Sequence, residues 1–204
     1  MNEIILQKKT SNKKQEVLKQ KLNQYIKNLD DFQKLKFWIK ALISSYNTIP
    51  QIIKTVDKII EIQASSVSFM TDVFNKNKST YSQVENVIDL SERKNCLLNI
   101  YVMTKKLLSS LSDDDFEILE KKYIFNWNND DIAKFYSIST RTVYRRMDKI
   151  VSKISNFSIK QNWTLKFIES QVSSESWIKE KFYKIICEYL KNTNFGYNKS
   201  SSDS

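Results

Sequence analysis

The chain has one glycine, Gly196, and one proline, Pro50, in 204 residues. Tight hairpin turns draw on glycine, and phosphate-cradling loops need it for close backbone approach, so the scarcity argues against a sheet-rich fold and a glycine-rich nucleotide site. Histidine is absent altogether. That removes the usual switch near neutral pH, the Ser-His-Asp arrangement and every histidine-containing metal site. The two cysteines, Cys96 and Cys187, stand alone in apolar stretches and read as free thiols of a reducing compartment. The N-terminus lacks the apolar run of a signal peptide, and no uncharged apolar stretch of about 18 residues occurs. The expectation is a cytoplasmic, non-membrane protein that is not an enzyme and carries no metal or cofactor.

Arginine is also scarce. Only four of the 33 basic residues are arginine, and three of them, Arg141, Arg145 and Arg146, fall together. A guanidinium offers a planar fork of donors that grips a guanine edge or a phosphate with two parallel bonds, whereas an ammonium is a point charge. The bland alternative is a solvated helix face.

The net charge of +10 points toward a polyanionic partner, and its distribution sharpens the point. Residues 1–60 hold 12 basic against 5 acidic side chains. Residues 111–155 balance at 8 and 8 but are polar along their length: seven acids and two lysines over 111–131, then six bases and one acid over 132–155.

Helical periodicity runs through the chain. Val17, Leu18, Leu22, Tyr25, Ile26 and Leu29 recur at helical spacing, and Phe32, Leu35, Phe37, Trp38, Ile39 and Leu42 continue it, so residues 2–43 read as one or two lysine-rich amphipathic helices. The segment 47–50 interrupts, because a residue before proline resists the helical conformation. Ile52, Ile53, Val56, Ile59, Ile60, Val67 and Met70 outline the next helix, and residues 75–80 a polar turn. A long helix follows, with Tyr81, Val84, Val87, Ile88, Leu97, Ile100, Tyr101, Leu107 and Leu108; its stripe has the earlier helices or a second copy of the chain to pack on. Beyond residue 157, Trp163, Phe167, Ile168, Trp177, Ile178, Phe182, Ile185, Ile186 and Tyr189 mark a helical extension, and the serine-rich residues 198–204 read as a disordered tail.

The segment 111–154 carries the most information. Ser112 is placed to cap a helix and Asp115 to complete a Ser-x-x-Asp box, with Asp113 and Asp114 also complementing the helix dipole. Phe116, Leu119 and Tyr123 line one side. Asn128 or Asn129 caps a short helix over 130–136, and Ser139 caps a third over 140–154. At about 100° per residue, Val143, Met147, Ile150, Val151 and Ile154 form the buried stripe of that third helix. Arg141, Arg145 and Ser152 point away, Thr142 and Lys149 lie on one shoulder, Asp148 lies on the other, and Tyr144 and Arg146 flank the stripe. Arg141 and Arg145 thus lie side by side near the helix start, where a recognition helix exposes base-reading side chains.

From 111 to 154 the chain resembles, without gaps, region 4 of the bacterial sigma-70 family, especially its compact extracytoplasmic-function members. The matching residues are Leu-Ser-Asp-Asp-Asp-Phe-Glu-Ile-Leu from Leu111, Lys-Tyr at Tyr123, Asn-Asp-Asp-Ile-Ala ending at Ala133, and Ser-Ile-Ser-Thr-Arg-Thr-Val-Tyr-Arg-Arg-Met from Ser137 to Met147. The resemblance implies a helix-turn-helix in which Ala133 is the small residue at the helix crossing, Ile138 the turn anchor and Val143 the first buried residue of the recognition helix. Ser137 departs from the pattern, because glycine usually stands at this positive-φ position. Helical region plus region-4-like module also looks like a phage late-gene activator. The expected fold is all-α, with a helical N-terminal region over 1–110, the helix-turn-helix over 111–157, a helical C-terminal extension over 158–197 and the tail over 198–204.

The expected function is a transcription regulator, most specifically an alternative sigma factor or sigma-like activator. It reads double-stranded promoter DNA through Ser139, Thr140, Arg141, Thr142, Tyr144, Arg145, Arg146, Lys149 and Lys153, with Lys134 and the N-terminal lysines adding phosphate contacts. The implied partners are promoter DNA and core RNA polymerase, and the chain is a candidate homo-oligomer. Phe32, Phe37, Trp38 and Tyr46 are placed either to hold flipped bases or, as their helical spacing favours, to build a core. The alternatives are a DNA-packaging or recombination accessory protein that uses the same motif inside an oligomer, and an adaptor that binds protein.

Overall fold

The computed structural model describes residues 20, 22–69 and 80–197, and every regular element among them is helical. The fold is all-α. Helix α1 covers 22–28 and stops where Asp30 caps α2, Asp31–Ser45, by accepting the Gln33 amide at 2.8 Å. Pro50 does not prevent helix; it sits in the first turn of α3, Ile49–Phe69, where an N–H is not needed. Helix α4, Thr80–Leu108, returns antiparallel to α3. Then come α5, Asp113–Leu119, continued by a π-helical turn, Glu120–Ile124; α6, Asn129–Phe135; α7, Thr140–Lys160; α8, Leu165–Gln171; and α9, Ser176–Tyr197.

Helix α2 is the hub. Leu35, Ile39, Ala41, Leu42 and Ile43 are buried, and the helix packs against α9, α7, the π-turn, α8 and α4. Its aromatics are absorbed in this packing. Trp38 stacks on Phe182 with ring centroids 4.1 Å apart and donates from Nε1 to Glu169 at 3.2 Å. Phe37 meets Tyr189 edge-on, and Tyr46 stacks on Tyr101 at 5.0 Å. Phe37 and Trp38 are buried and Phe32 is half-buried, so these aromatics build the core rather than a surface for flipped bases.

Helix α7 is longer than the sequence pattern suggests. The pattern read from sequence ends at Ile154, but the helix runs to Lys160, with Phe157 packed against the core and the serines hydrogen-bonded to backbone carbonyls. Ser155 Oγ donates to Val151 O at 2.8 Å, and buried Ser158 donates to Trp163 O at 2.6 Å, so a polar-looking stretch stays helical and buried. One apolar cluster takes residues from α2, α3, α4, α5, α6, α7, α8 and α9, so the segments 1–110, 111–157 and 158–197 contribute to a shared core.

Beside that core, Arg93 on α4 makes a two-pronged bond to Glu175, at 2.9 and 3.1 Å, and Trp177 Nε1 donates to the same carboxylate at 2.7 Å. Cys96 and Cys187 are free. Among the described residues, no helix is long and apolar enough to cross a membrane. The readings that rest on Val17, Leu18, the N-terminal lysines up to Lys21, Met70, the side chain of Val67, residues 75–79 and the tail 198–204 lie outside the described residues.

Candidate nucleic-acid interface

Helices α5, α6 and α7 form a unit whose joints are specified by local chemistry. Asn128 accepts the Asp131 amide at 2.7 Å and starts α6. That helix ends in a turn where the Ser137 amide donates to Lys134 O at 3.2 Å and the Ile138 amide to Ala133 O at 2.9 Å. Ser137 adopts φ 53°, the left-handed conformation that glycine would hold at less cost. Ser139 then caps α7 by accepting the Thr142 amide at 3.1 Å. Thr140 Oγ1 donates to Asp130 Oδ1 at 2.9 Å, tying the first turn of α7 to the first turn of α6. Below the turn, Ala133 and Val143 are buried and Ile138 is partly so, packed on the shared core.

The start of α5 differs from the expected box. Ser112 has the extended backbone of a cap, but its side chain makes no capping bond. Asp115 does not reach back to it either; its buried carboxylate accepts a bond from Lys153 on α7 at 2.6 Å. The physical reason is competition: a lysine ammonium gives a buried carboxylate a charged partner, which an exposed serine amide does not. Lys153, expected as a phosphate contact, is therefore engaged by Asp115, although about two-thirds of its side chain remains exposed, 65%.

The α7 side chains distribute over two sides. Thr142, Arg145, Arg146, Lys149 and Lys153 line a shallow groove that also contains Asp115 and Ile150. Ser139 and Thr140 line a second depression at the turn with Asp130, Ala133, Lys134, Ser137 and Ile138. Arg141, Arg145, Lys149 and Lys134 are exposed, and Arg146 is half-buried. The positive charge of Arg146 bears on the Tyr136 hydroxyl, opposing a rise to about 12 that comes first from burial and then from neighbouring Glu117. Tyr144 lies apart from the groove: it lines a cavity with Lys36, Phe37 and Lys40 of α2 and with Glu188 and Tyr189 of α9. Asp148, on the same side, forms an ion pair with buried Lys36 that fastens α7 to α2.

Lys121 is a residue that the pattern did not single out. Its ammonium lies 4.4 Å from the Phe135 ring centroid, 5.5 Å from that of Trp127 and 5.9 Å from that of Tyr136, and it bonds Glu117 at 2.7 Å. The cation–π contact holds the π-turn against α6, and the ion pair ties it to α5. The bond from Lys121, followed by the Tyr136 hydroxyl, holds the Glu117 carboxyl below its ordinary range. Trp127, Phe135 and Tyr136, closely spaced behind a lysine pair, were the available signal. Against models of protein families, curated proteins and solved structures, the chain gives no match.

Proposed function

We propose that this chain is a sequence-specific DNA-binding transcription regulator of the cytoplasm, acting through a helix-turn-helix made by α6 and α7. The observation that carries the reading is the outer face of α7, where Thr142, Arg145, Arg146 and Lys149 share one open groove beside exposed Arg141. Exposed arginines near the start of a capped helix suit bidentate contact with guanine in a major groove, and the lysines suit phosphates. Its most specific form is an alternative sigma factor or sigma-like activator, with promoter DNA and core RNA polymerase as partners.

Selection from a random-sequence duplex library tests the base-reading claim. The wild-type chain is expected to enrich a defined motif. Arg145→Ala or Arg141→Ala is expected to weaken binding to that motif by about 1–3 kcal/mol while leaving weak, salt-sensitive binding to other duplexes nearly unchanged. Equal loss on every duplex would show that these arginines touch only phosphate. Copurification from the native host tests the polymerase partner separately: recovery of core polymerase supports the sigma form, and its absence leaves a regulator that acts without it.

A further inference from the structure

We propose that α4 carries a second, self-complementary seam on which another copy of this chain packs antiparallel. Two sides of α4 are already used. Val87, Leu90 and Tyr101 are half-buried on the side where Lys94 reaches Asp57 of α3 at 2.5 Å. Ile100, Met103 and Leu107 are buried on the side where Arg93 and Cys96 reach Glu175 and Gln171. A third side remains. Val84, Ile88, Leu98 and Val102 are exposed at 43%, 52%, 37% and 60%, with half-buried Ser91 and exposed Asn95 between them.

The spacing of these six residues alternates strictly between four and three, from 84 through 88, 91, 95 and 98 to 102. That is the recurrence of positions along one face of a helix, sustained here over about 27 Å, a length that a second helix would cover. The seam also reads the same from either end: two apolar residues, two polar, two apolar. An antiparallel copy therefore sets Val84 against the partner's Val102, Ile88 against the partner's Leu98 and Ser91 against the partner's Asn95. Ser91 already bonds Val87 O at 2.8 Å and asks little of a partner, while a polar residue within a seam fixes register.

Charge at the ends of the seam favours the antiparallel sense. Exposed Glu85 flanks one end and exposed Lys106 the other, so reversal of the second helix brings the acid of each copy toward the lysine of its mate, while exposed Glu92 near the midpoint meets its own counterpart and opposes the pairing. A two-fold pairing of one patch with itself is the commonest way a chain forms a dimer.

Sedimentation of the full chain from about 1 to 100 µM is expected to show a monomer–dimer equilibrium in the micromolar range. Ile88→Glu and Leu98→Lys each place a charge opposite an apolar side chain and are expected to weaken the dimer at least tenfold. The double variant sets Glu against Lys twice across the seam and is expected to recover a substantial part of that loss. Both positions are exposed in the single copy, so unchanged helical circular dichroism confirms that each variant folds. A monomer across the whole range hands the seam to another occupant, residues 1–19 or a different protein, and overturns the proposal, as does a dimer indifferent to both single charges. A double variant weaker than either single one overturns the antiparallel order.

Discussion

Ser137 holds φ at 53°, where a side chain with a Cβ crowds the following carbonyl. Asn126 and Asn162 share that conformation, but asparagine tolerates it better than serine. Ser137→Gly is expected to raise stability by about 1 kcal/mol at most, the relief of strain being offset in part by the greater freedom of glycine in the unfolded chain. Ser137→Val is expected to lower stability by more than that. Chemical denaturation midpoints check both, and a destabilised glycine variant would contradict the strain assigned to this turn. Lys40 carries a different cost. Burial, then the charge of Lys36, lowers its pKa to about 8 against the pull of Asp148, and the Phe37 ring lies 5.2 Å beneath its ammonium. Between pH 8 and the ordinary lysine value the unfolded chain binds more protons than the folded one, so stability rises with pH through that window. Below pH 8 the full cost of the buried charge is present. Lys40→Met is expected to flatten the rise and to add on the order of 2 kcal/mol at pH 7, read from denaturation curves taken across that range.

At the scale of elements, the starts of α6 and α7 were legible because they are local. Asn128 and Ser139 each accept an amide three residues on, as their residue types require, whereas the cap at Asp30 went unread inside a continuous apolar pattern. Val143, Met147, Ile150, Val151 and Ile154 are all buried on one side of α7, as the helical period implies. What was not legible depends on partners distant in sequence. Asp115 leaves its expected cap for Lys153, and Ser155 and Ser158 are buried within α7 with their hydroxyls bonded to backbone carbonyls, where a polar residue count reads a linker. Glu175 is the sharpest case. It sits in a serine-rich stretch, yet its side chain is fully buried, at 0% exposure, between Arg93 and Trp177. Arg93 is partly exposed, so Arg93→Ala is expected to cost about 3 kcal/mol, the low end for breaking a buried pair. Adding Glu175→Gln removes the stranded charge, and the double variant should regain part of the loss. A double-mutant cycle with no coupling would remove this pair from the forces holding α4 to the start of α9.

For the whole molecule, the position of α7 is set from outside the 111–157 segment. Its buried stripe packs on α2 as well as on α6, Asp148 is tied to Lys36, and the shared core runs from α2 through to α9. A candidate reading helix held in this way gets part of its orientation from α2 and α4, N-terminal helices that carry none of the groove residues. Only the local half of that arrangement could be read from sequence, since periodicity names a buried face but not what covers it. The consequence is testable by excision. Residues 111–160 expressed alone lose the packing of α7 on α2 and α4, and at about 25 cal/mol per Å² of lost apolar burial a unit this small has little stability to spare. The fragment is expected to show poorly dispersed amide resonances and no cooperative melt. Residues 20–197 are expected to unfold in one transition, with far-ultraviolet circular dichroism and tryptophan fluorescence coincident, because Trp38, Trp127, Trp163 and Trp177 all pack on the shared core. A fragment that melts sharply by itself would mean that α5, α6 and α7 fold as an independent unit and that α2 merely leans against them.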